Sequence, residues 1–314
     1  MNTEVISNKD DLKKEYKFSI CTPCFNSSGT IESVYKSLDA LTYDNFEWII
    51  VDDASSDNTF EIIRDIIEKS DFDISCYSLK ENRMVTYCYN LAVQKSQSEF
   101  LILLDHDDQI SSNALERFLY YWSEVPEEKK DGLAGMMSNC DDENGNLVGT
   151  SFKKSPYING FFEVFFDDKT RGEKFFCYKT SIMKINNFPL LDRYVPESVV
   201  MWDISASYET LFFNESLRTY TKPVVENGNL SFLDSFEYAN GFRFKFLQLL
   251  NNHLNKLLLR PYTLINFIYY YTLYSFASKN SVFKMTKDLN GLLLKVLFLI
   301  SFPLIFFICN FKKR

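Results

Sequence analysis

Phe100-Leu101-Ile102-Leu103-Leu104-Asp105-His106-Asp107-Asp108 sets five apolar residues in a row directly before a knot of carboxylates. An unbroken apolar run reads as a strand buried on both faces, the habit of a parallel sheet covered by helices. Moving toward the N-terminus, the same rhythm recurs. Residues 18–22 form a short apolar run ended by Pro23, and residues 30–41 carry apolar side chains at helical spacing (Ile31, Val34, Leu38, Leu41). Residues 46–51 form an apolar strand ending in Asp52 and Asp53, residues 60–67 are helical, 74–79 alternate like a strand, and 84–96 are helical. Strands alternating with helices predict an α/β fold with a mostly parallel, doubly wound sheet and ligands at the carboxyl ends of its strands. Beyond residue 131 the rhythm changes. Residues 132–138 read as a further strand, 141–146 as a hairpin turn, and 150–235 as short strands and helices without a clean repeat.

The chain of 314 residues is 46% hydrophobic, enough for a sizeable core. Its 34 basic and 42 acidic residues are unevenly distributed. From Asn240 onward there are 11 Lys and Arg against one acid, Asp288, a net charge of +10, which leaves −18 for residues 1–239. The basic part is rich in Phe, Tyr, Leu and Ile, so its expected partner is an anionic membrane surface. An acidic body disfavours nucleic acid, whose phosphates would repel it. Seven scattered cysteines and a polar N-terminus without the apolar stretch of a secretory leader point to a reducing, cytoplasmic setting. Residues 1–16 read as a flexible tail.

Two acid clusters carry the chemistry. One is Val51-Asp52-Asp53-Ala54-Ser55-Ser56-Asp57-Asn58-Thr59, and the other is Leu104-Asp105-His106-Asp107-Asp108. Asp57 or Asn58 suits the N-cap of the next helix, and Ser111 or Ser112 the cap after the second cluster. Asp105, Asp107 and Asp108 are left without a structural task. An Asp-x-Asp at a strand end offers hard oxygen ligands to Mn²⁺ or Mg²⁺, ions usually shared between one or two carboxylates and substrate phosphates.

These clusters, together with Thr22-Pro23-Cys24-Phe25-Asn26, resemble the inverting family-two glycosyltransferases, whose Rossmann-like domain binds nucleotide-diphospho-sugars. The likeness covers residues 17–235. Residues 172–175, 194–198 and 214–218 further resemble a bacterial branch that builds cell-surface polysaccharides and glycoconjugates. The resemblance implies that Thr22, Pro23, Phe25 and Asn26 pack on the nucleobase and ribose. Asp53 would hydrogen-bond the base, often uracil, so a UDP-linked donor is expected. It further implies Asp105 near the ribose, Asp107 on the metal, and Asn90 in the donor loop. Glu197 falls at the position of the catalytic base, which takes a proton from the acceptor hydroxyl, and Asp203 is its rival. Two departures stand out: the donor loop 80–90 lacks the family's usual glycine, and the common Glu-Asp pair is here Pro196-Glu197-Ser198. On this reading residues 17–130 form the nucleotide-sugar-binding half and 131–235 the acceptor half of one catalytic domain, followed by a helical membrane-associating segment, 236–314. The implied acceptor is lipid-linked or a glycan.

Other residues read plainly. Cys21-x-x-Cys24 has redox spacing, but its Thr-Pro belongs to the nucleotide loop. His106 fills the position between two acids, Trp48 and Trp122 belong to the core, and Trp202 suits either the core or the acceptor site. Residues 261–277 and 292–309 are strongly apolar, each near the roughly 20 residues a bilayer span needs. A single span would carry Lys312, Lys313 and Arg314 away from the cytoplasm, and two spans would strand Lys279, Lys284 and Lys287 outside. Helices lying in the interface at the cytoplasmic face of the plasma membrane violate neither rule and are the expected arrangement. A re-entrant or spanning last helix is the second choice. Two other functions compete: a catalytically silent scaffold relative, and a nucleotidyltransferase. The latter would want a glycine-rich basic loop, whereas residues 21–29 hold one glycine and no Lys or Arg.

Overall fold

The computed structural model describes residues 3–8, 15–191, 194–221 and 235–311, the side chains of 308–311 excepted. Lys312, Lys313 and Arg314 lie outside the described residues. The chain divides into two compact units, Met1–Asn187 with Ser207–Val224, and Phe188–Ala206 with Val225–Arg314.

The first unit runs β1 (Glu4–Ser7), β2 (Tyr16–Cys24), α1 (Ile31–Asp39), β3 (Phe46–Asp52), α2 (Thr59–Lys69), β4 (Asp73–Ser78), α3 (Val85–Lys95) and β5 (Ser98–Leu103). It continues with β6 (Gln109–Ile110), α4 (Ala114–Ser123), α5 (Glu127–Lys130), β7 (Leu133–Asp142), β8 (Tyr157–Asn159), α6 (Phe161–Phe166), β9 (Lys174–Lys179) and α7 (Thr180–Ile185). After α8 (Ser198–Ile204), which belongs to the second unit, β10 (Glu209–Tyr220) returns to the sheet. The strand order is β1-β4-β3-β2-β5-β9-β7-β10-β6, with β8 also on β10.

Alternation along the strands explains the layering. Phe18, Ile20, Phe46, Trp48, Ile50, Phe100 and Ile102 join Ile31, Val34, Ile63, Ile66, Leu115 and Phe118 in one apolar core, so this face lies under α1, α2 and α4. The intervening residues Cys21, Ile49, Val51 and Leu101 are equally buried on the other face, where α3 packs on β2 and β3, and α7 on β5. Both faces are covered, which is why these strands read as continuous apolar runs.

Three expectations change. The sheet is mixed: β4, β3, β2 and β5 are parallel, as are β7 and β10, but β1, β6, β8 and β9 pair antiparallel. Within the expected flexible tail, Glu4–Ser7 forms an edge strand on β4, registered from Glu4 opposite Ser78 to Ser7 opposite Ser75. Ser7 Oγ adds a hydrogen bond to the Ile74 carbonyl (2.8 Å), which helps fix that register. The helix after the second acid cluster begins at Ala114 with Asn113 at its N-cap position, without a side-chain cap from Ser111 or Ser112.

The second unit contains α8, α9 (Ala239–Asn252), α10 (Leu254–Leu258), α11 (Pro261–Ala277), α12 (Val282–Asp288) and α13 (Leu292–Phe311). Its inclusion of residues 188–206 differs from the expected boundary at 235/236: α8 packs on α9. Gly241 explains the fit, because a Cβ there would stand 2.4 Å from the Tyr194 carbonyl oxygen. The His253 ring bonds the Trp202 carbonyl oxygen (2.9 Å), and Trp202 is buried, so it serves packing. Arg243 on α9 is paired with Asp288, the single acid of the basic stretch, on α12. The helix α11 is held by its apolar face: Leu264, Phe267, Ile268 and Tyr271 are buried, and the Tyr271 hydroxyl donates to the Met285 carbonyl (2.9 Å). On α13, Leu294, Phe298 and Ile305 are buried, whereas Leu292, Leu293, Val296, Leu299, Ile300 and Leu304 are exposed. Among the described residues no helix is long and apolar enough to cross a membrane.

Candidate active site

Because β4, β3, β2 and β5 are parallel neighbours, the loops that follow them emerge at one edge of the sheet. These loops are sewn together by hydrogen bonds. The amide of Asp53 donates to the Cys24 carbonyl (2.8 Å), and that of Asn26 to Ser55 Oγ (2.9 Å). Ser56 N–H donates to Asn26 Oδ1 (2.8 Å). Asp57 accepts from Thr59 N–H (3.0 Å) and Ser28 N–H (3.2 Å), so it serves both the start of α2 and the neighbouring loop. Burial works against its charge, but the bonds from Thr59 and Ser28 prevail and lower its pKa.

Within this frame the expected donor residues divide. Thr22 is buried, and its Oγ accepts the Trp48 indole N–H (2.9 Å); Pro23 is buried beside it in β2. Phe25 and Asn26 are exposed at the sheet edge, Phe25 by 40%. Asp53 is buried, and both carboxylate oxygens accept backbone N–H groups: Oδ1 from Arg83 (2.6 Å) and Oδ2 from Met84 (2.8 Å). Burial pushes its pKa up against the pull of those two bonds. Asp52 is a brace, accepting from Ser55 N–H (3.2 Å) and the Ser78 hydroxyl (2.9 Å). Asn90 lies half-buried on α3.

In the second cluster, Asp105 accepts the Tyr89 hydroxyl from α3 at 2.5 Å. His106 Nδ1 lies 3.0 Å from the Thr30 hydroxyl, so this ring is held by the first loop. Asp108 is buried behind them, accepting from Thr221 N–H (3.0 Å), with its other oxygen 3.3 Å from Arg218. Arg218 is itself buried and also reaches Glu173 (3.2 Å). Burial pushes Asp108 up to about 7 despite the guanidinium beside it.

Asp107 differs from its neighbours. Half-buried, it accepts no hydrogen bond from another described residue; burial raises its pKa against the pull of His106 beside it, and Asp105 adds to the rise. A partly desolvated carboxylate without a donor is costly unless a cation offsets it, so Asp107, with Asp105 beside it, fits a hard divalent ion. Among the described residues no three His, Cys, Asp or Glu side chains converge to hold a metal alone.

Glu197 and Asp203 belong to the second unit. Glu197 stands half-buried at the first turn of α8, and Asp203, at its end, accepts Asn252 Nδ2 at 2.7 Å. Sequence reasoning passed over Tyr89, Arg83, Met84 and Arg218. Tyr89 sits beside Asn90, which was the one available signal; backbone donors leave none. The six cysteines among the described residues are buried free thiols, Cys21 and Cys24 included.

Known proteins resemble this chain both in sequence and in fold. Residues 19–184, more than half of the chain, match the family described as glycosyl transferase family 2. The chain is 25% identical over 211 residues to the GalNAc(5)-diNAcBac-PP-undecaprenol beta-1,3-glucosyltransferase of Campylobacter jejuni, covering 65% of this chain and 64% of that protein. It is 36% identical over 114 residues to the poly-beta-1,6-N-acetyl-D-glucosamine synthase of Staphylococcus aureus, covering 36% of this chain and 26% of the relative. The chain thus spans less than two thirds of either relative. Among solved structures, S. aureus TarS 1–349 in complex with UDP-GlcNAc superposes with a TM-score of 0.62 at 18% identity, over 82% of this chain and 81% of that one. A mannosyltransferase from Pyrobaculum calidifontis, in complex with GDP-Man and Mn²⁺, gives 0.57 at 16%, over 95% and 84%. At such identities the structural likeness speaks for the fold, and the sequence match decides the family: the chain belongs to glycosyl transferase family 2.

Proposed function

We propose that this protein moves a sugar, with inversion, from a nucleotide-diphospho-sugar to a hydroxyl of a lipid-linked or polysaccharide acceptor. The observation that carries the reading is that Asp53, Asp105 and Asp107, with exposed Phe25, stand on loops that leave neighbouring parallel strands at one edge of the sheet. A UDP-linked donor is favoured, since TarS was solved with UDP-GlcNAc. Phe25 offers an aromatic face to the base, while the Asp53 loop supplies a polar edge. Asp105, held by the Tyr89 hydroxyl, would receive a ribose hydroxyl. Asp107 is the residue that would hold Mn²⁺ or Mg²⁺, which when bound neutralises charge on the diphosphate leaving group.

Glu197 is assigned as the general base, with Asp203 as the alternative. As the acceptor oxygen attacks the anomeric carbon, its proton passes to that carboxylate and the bond to the diphosphate oxygen breaks, through an oxocarbenium-like transition state. The basic, apolar-faced helices of the second unit would rest on anionic lipid at the cytoplasmic face of the plasma membrane. Support comes from the +10 charge beyond residue 240 and from the exposed Leu259, Tyr262, Phe283, Leu292 and Ile300.

The test is a panel of UDP-, GDP- and dTDP-sugars with Mn²⁺, read as nucleoside diphosphate release with and without a membrane-glycan extract. Turnover of one donor is expected, falling about 10²–10⁴-fold in Glu197→Gln. A wild-type protein that binds nucleotide yet turns over no donor would overturn the catalytic assignment.

A further inference from the structure

Strain in the backbone is concentrated at the proposed donor edge. Among the described residues five non-glycine positions have positive φ, and three of them, Asn26, Ala54 and Met84, lie on the consecutive loops that follow β2, β3 and β4. Asn26 is a residue type that tolerates positive φ, and Ala54, at φ 60°, has only a Cβ to accommodate. Met84 is different. With φ 67° and ψ 163° it occupies territory that glycine alone enters readily. It stands in the very loop whose usual glycine the sequence lacks.

Strain of this kind persists only where the surroundings enforce it. Here the enforcing group is Asp53, whose two oxygens hold the consecutive amides of Arg83 and Met84. A glycine at this position would donate the same amide hydrogen bond to Asp53 without strain, so the bond explains the conformation and not the side chain. Met84 is half-buried and lies outside the core under α1, α2 and α4. A flexible, polarisable thioether suits a contact with an aromatic ring.

We propose that Met84 is a specificity-determining residue of the donor site, its thioether side chain forming an apolar wall against the nucleobase of the nucleoside diphosphate. This inference rests on the donor-site reading above. Phe25 and Met84 then supply apolar surface from two loops of one sheet edge, with Asp53 and the Asn82 amide, 3.4 Å from the Asp53 carbonyl oxygen, as the polar rim.

The experiment titrates UDP, GDP and dTDP into the full chain with Mn²⁺, takes whichever binds the wild type, and compares Met84→Gly, Met84→Ala and Met84→Leu by calorimetry and thermal melting. Met84→Gly is expected to melt about 2–6 °C higher through relief of the strain, yet to bind the nucleotide about 5–20-fold more weakly. Met84→Ala keeps a side chain in the strained conformation, so it should lose affinity to a similar degree without the melting gain. Met84→Leu should recover most of the affinity. Nucleotide affinity in Met84→Gly and Met84→Ala equal to that of the wild type would overturn the assignment and leave Met84 a merely strained loop residue. A wild type that binds none of the three nucleotides would instead remove the donor site itself, and this proposal with it.

Discussion

Asp53 shows how much one side chain can organise. Buried at the end of β3, it fixes the two amides that open α3, and its own amide is tied to Cys24. Replacing it by alanine leaves two N–H groups without their acceptor, at a cost of about 1–3 kcal/mol each where they stay buried. Asp53→Ala is therefore expected to melt several degrees lower and to lose nucleotide binding, read by calorimetry; unchanged melting would show that the 83–84 loop finds other partners. The acids themselves were legible in the sequence, because carboxylates directly after an apolar run have few structural uses. Their partners were not. The amides of Arg83 and Met84 and the hydroxyl of Tyr89 meet Asp53 and Asp105 only once the strands are laid side by side.

At the scale of elements, β2, β3, β5, α1 and α2 could be read to within a few residues, since buried strands and amphipathic helices each impose a period on the sequence. The edge strand Glu4–Ser7 could not: four residues with mixed polarity carry no such period, and their register comes from β4. The stretch 214–218, singled out by resemblance, proves to be a joint between elements. Glu215 on β10 accepts from Arg117 Nε (2.7 Å) and Nη2 (2.5 Å), and from the Tyr121 hydroxyl (2.8 Å), so it fastens β10 to α4. The bonds from Arg117 lower its pKa below the usual 4.5. A carboxylate with a depressed folded pKa contributes stability that is present above the unfolded value and is lost as pH falls through the folded one. Glu215→Gln should therefore destabilise the protein at neutral pH, and the difference from wild type should shrink as the pH is taken below 4.5. A difference that stays constant with pH, measured by denaturant melts, would deny the ion pair a role.

For the whole molecule, the division into units is the part the sequence concealed. Residues 150–235 show no clean repeat, so the sequence does not say on which body α8 packs; it packs on α9 beside the basic, apolar-faced helices. The candidate bases Glu197 and Asp203 therefore fold with the C-terminal helices, while Asp53, Asp105 and Asp107 fold with the sheet. Juxtamembrane lysines contribute about 1 kcal/mol each on an anionic surface, so co-sedimentation with phosphatidylglycerol vesicles should be strong at low salt and weaken as salt rises. Lys284→Glu with Lys287→Glu should reduce it further, whereas equal binding to neutral phosphatidylcholine would speak against an electrostatic contribution. The central claim, that the acids at the sheet edge bind a nucleotide-sugar through a divalent ion, is tested most directly by titrating UDP into wild type and Asp107→Ala, each with and without Mn²⁺. Tightening of UDP binding by Mn²⁺ in the wild type, abolished in Asp107→Ala while the melting temperature holds, is the expected result. An identical response to Mn²⁺ in both proteins would contradict it.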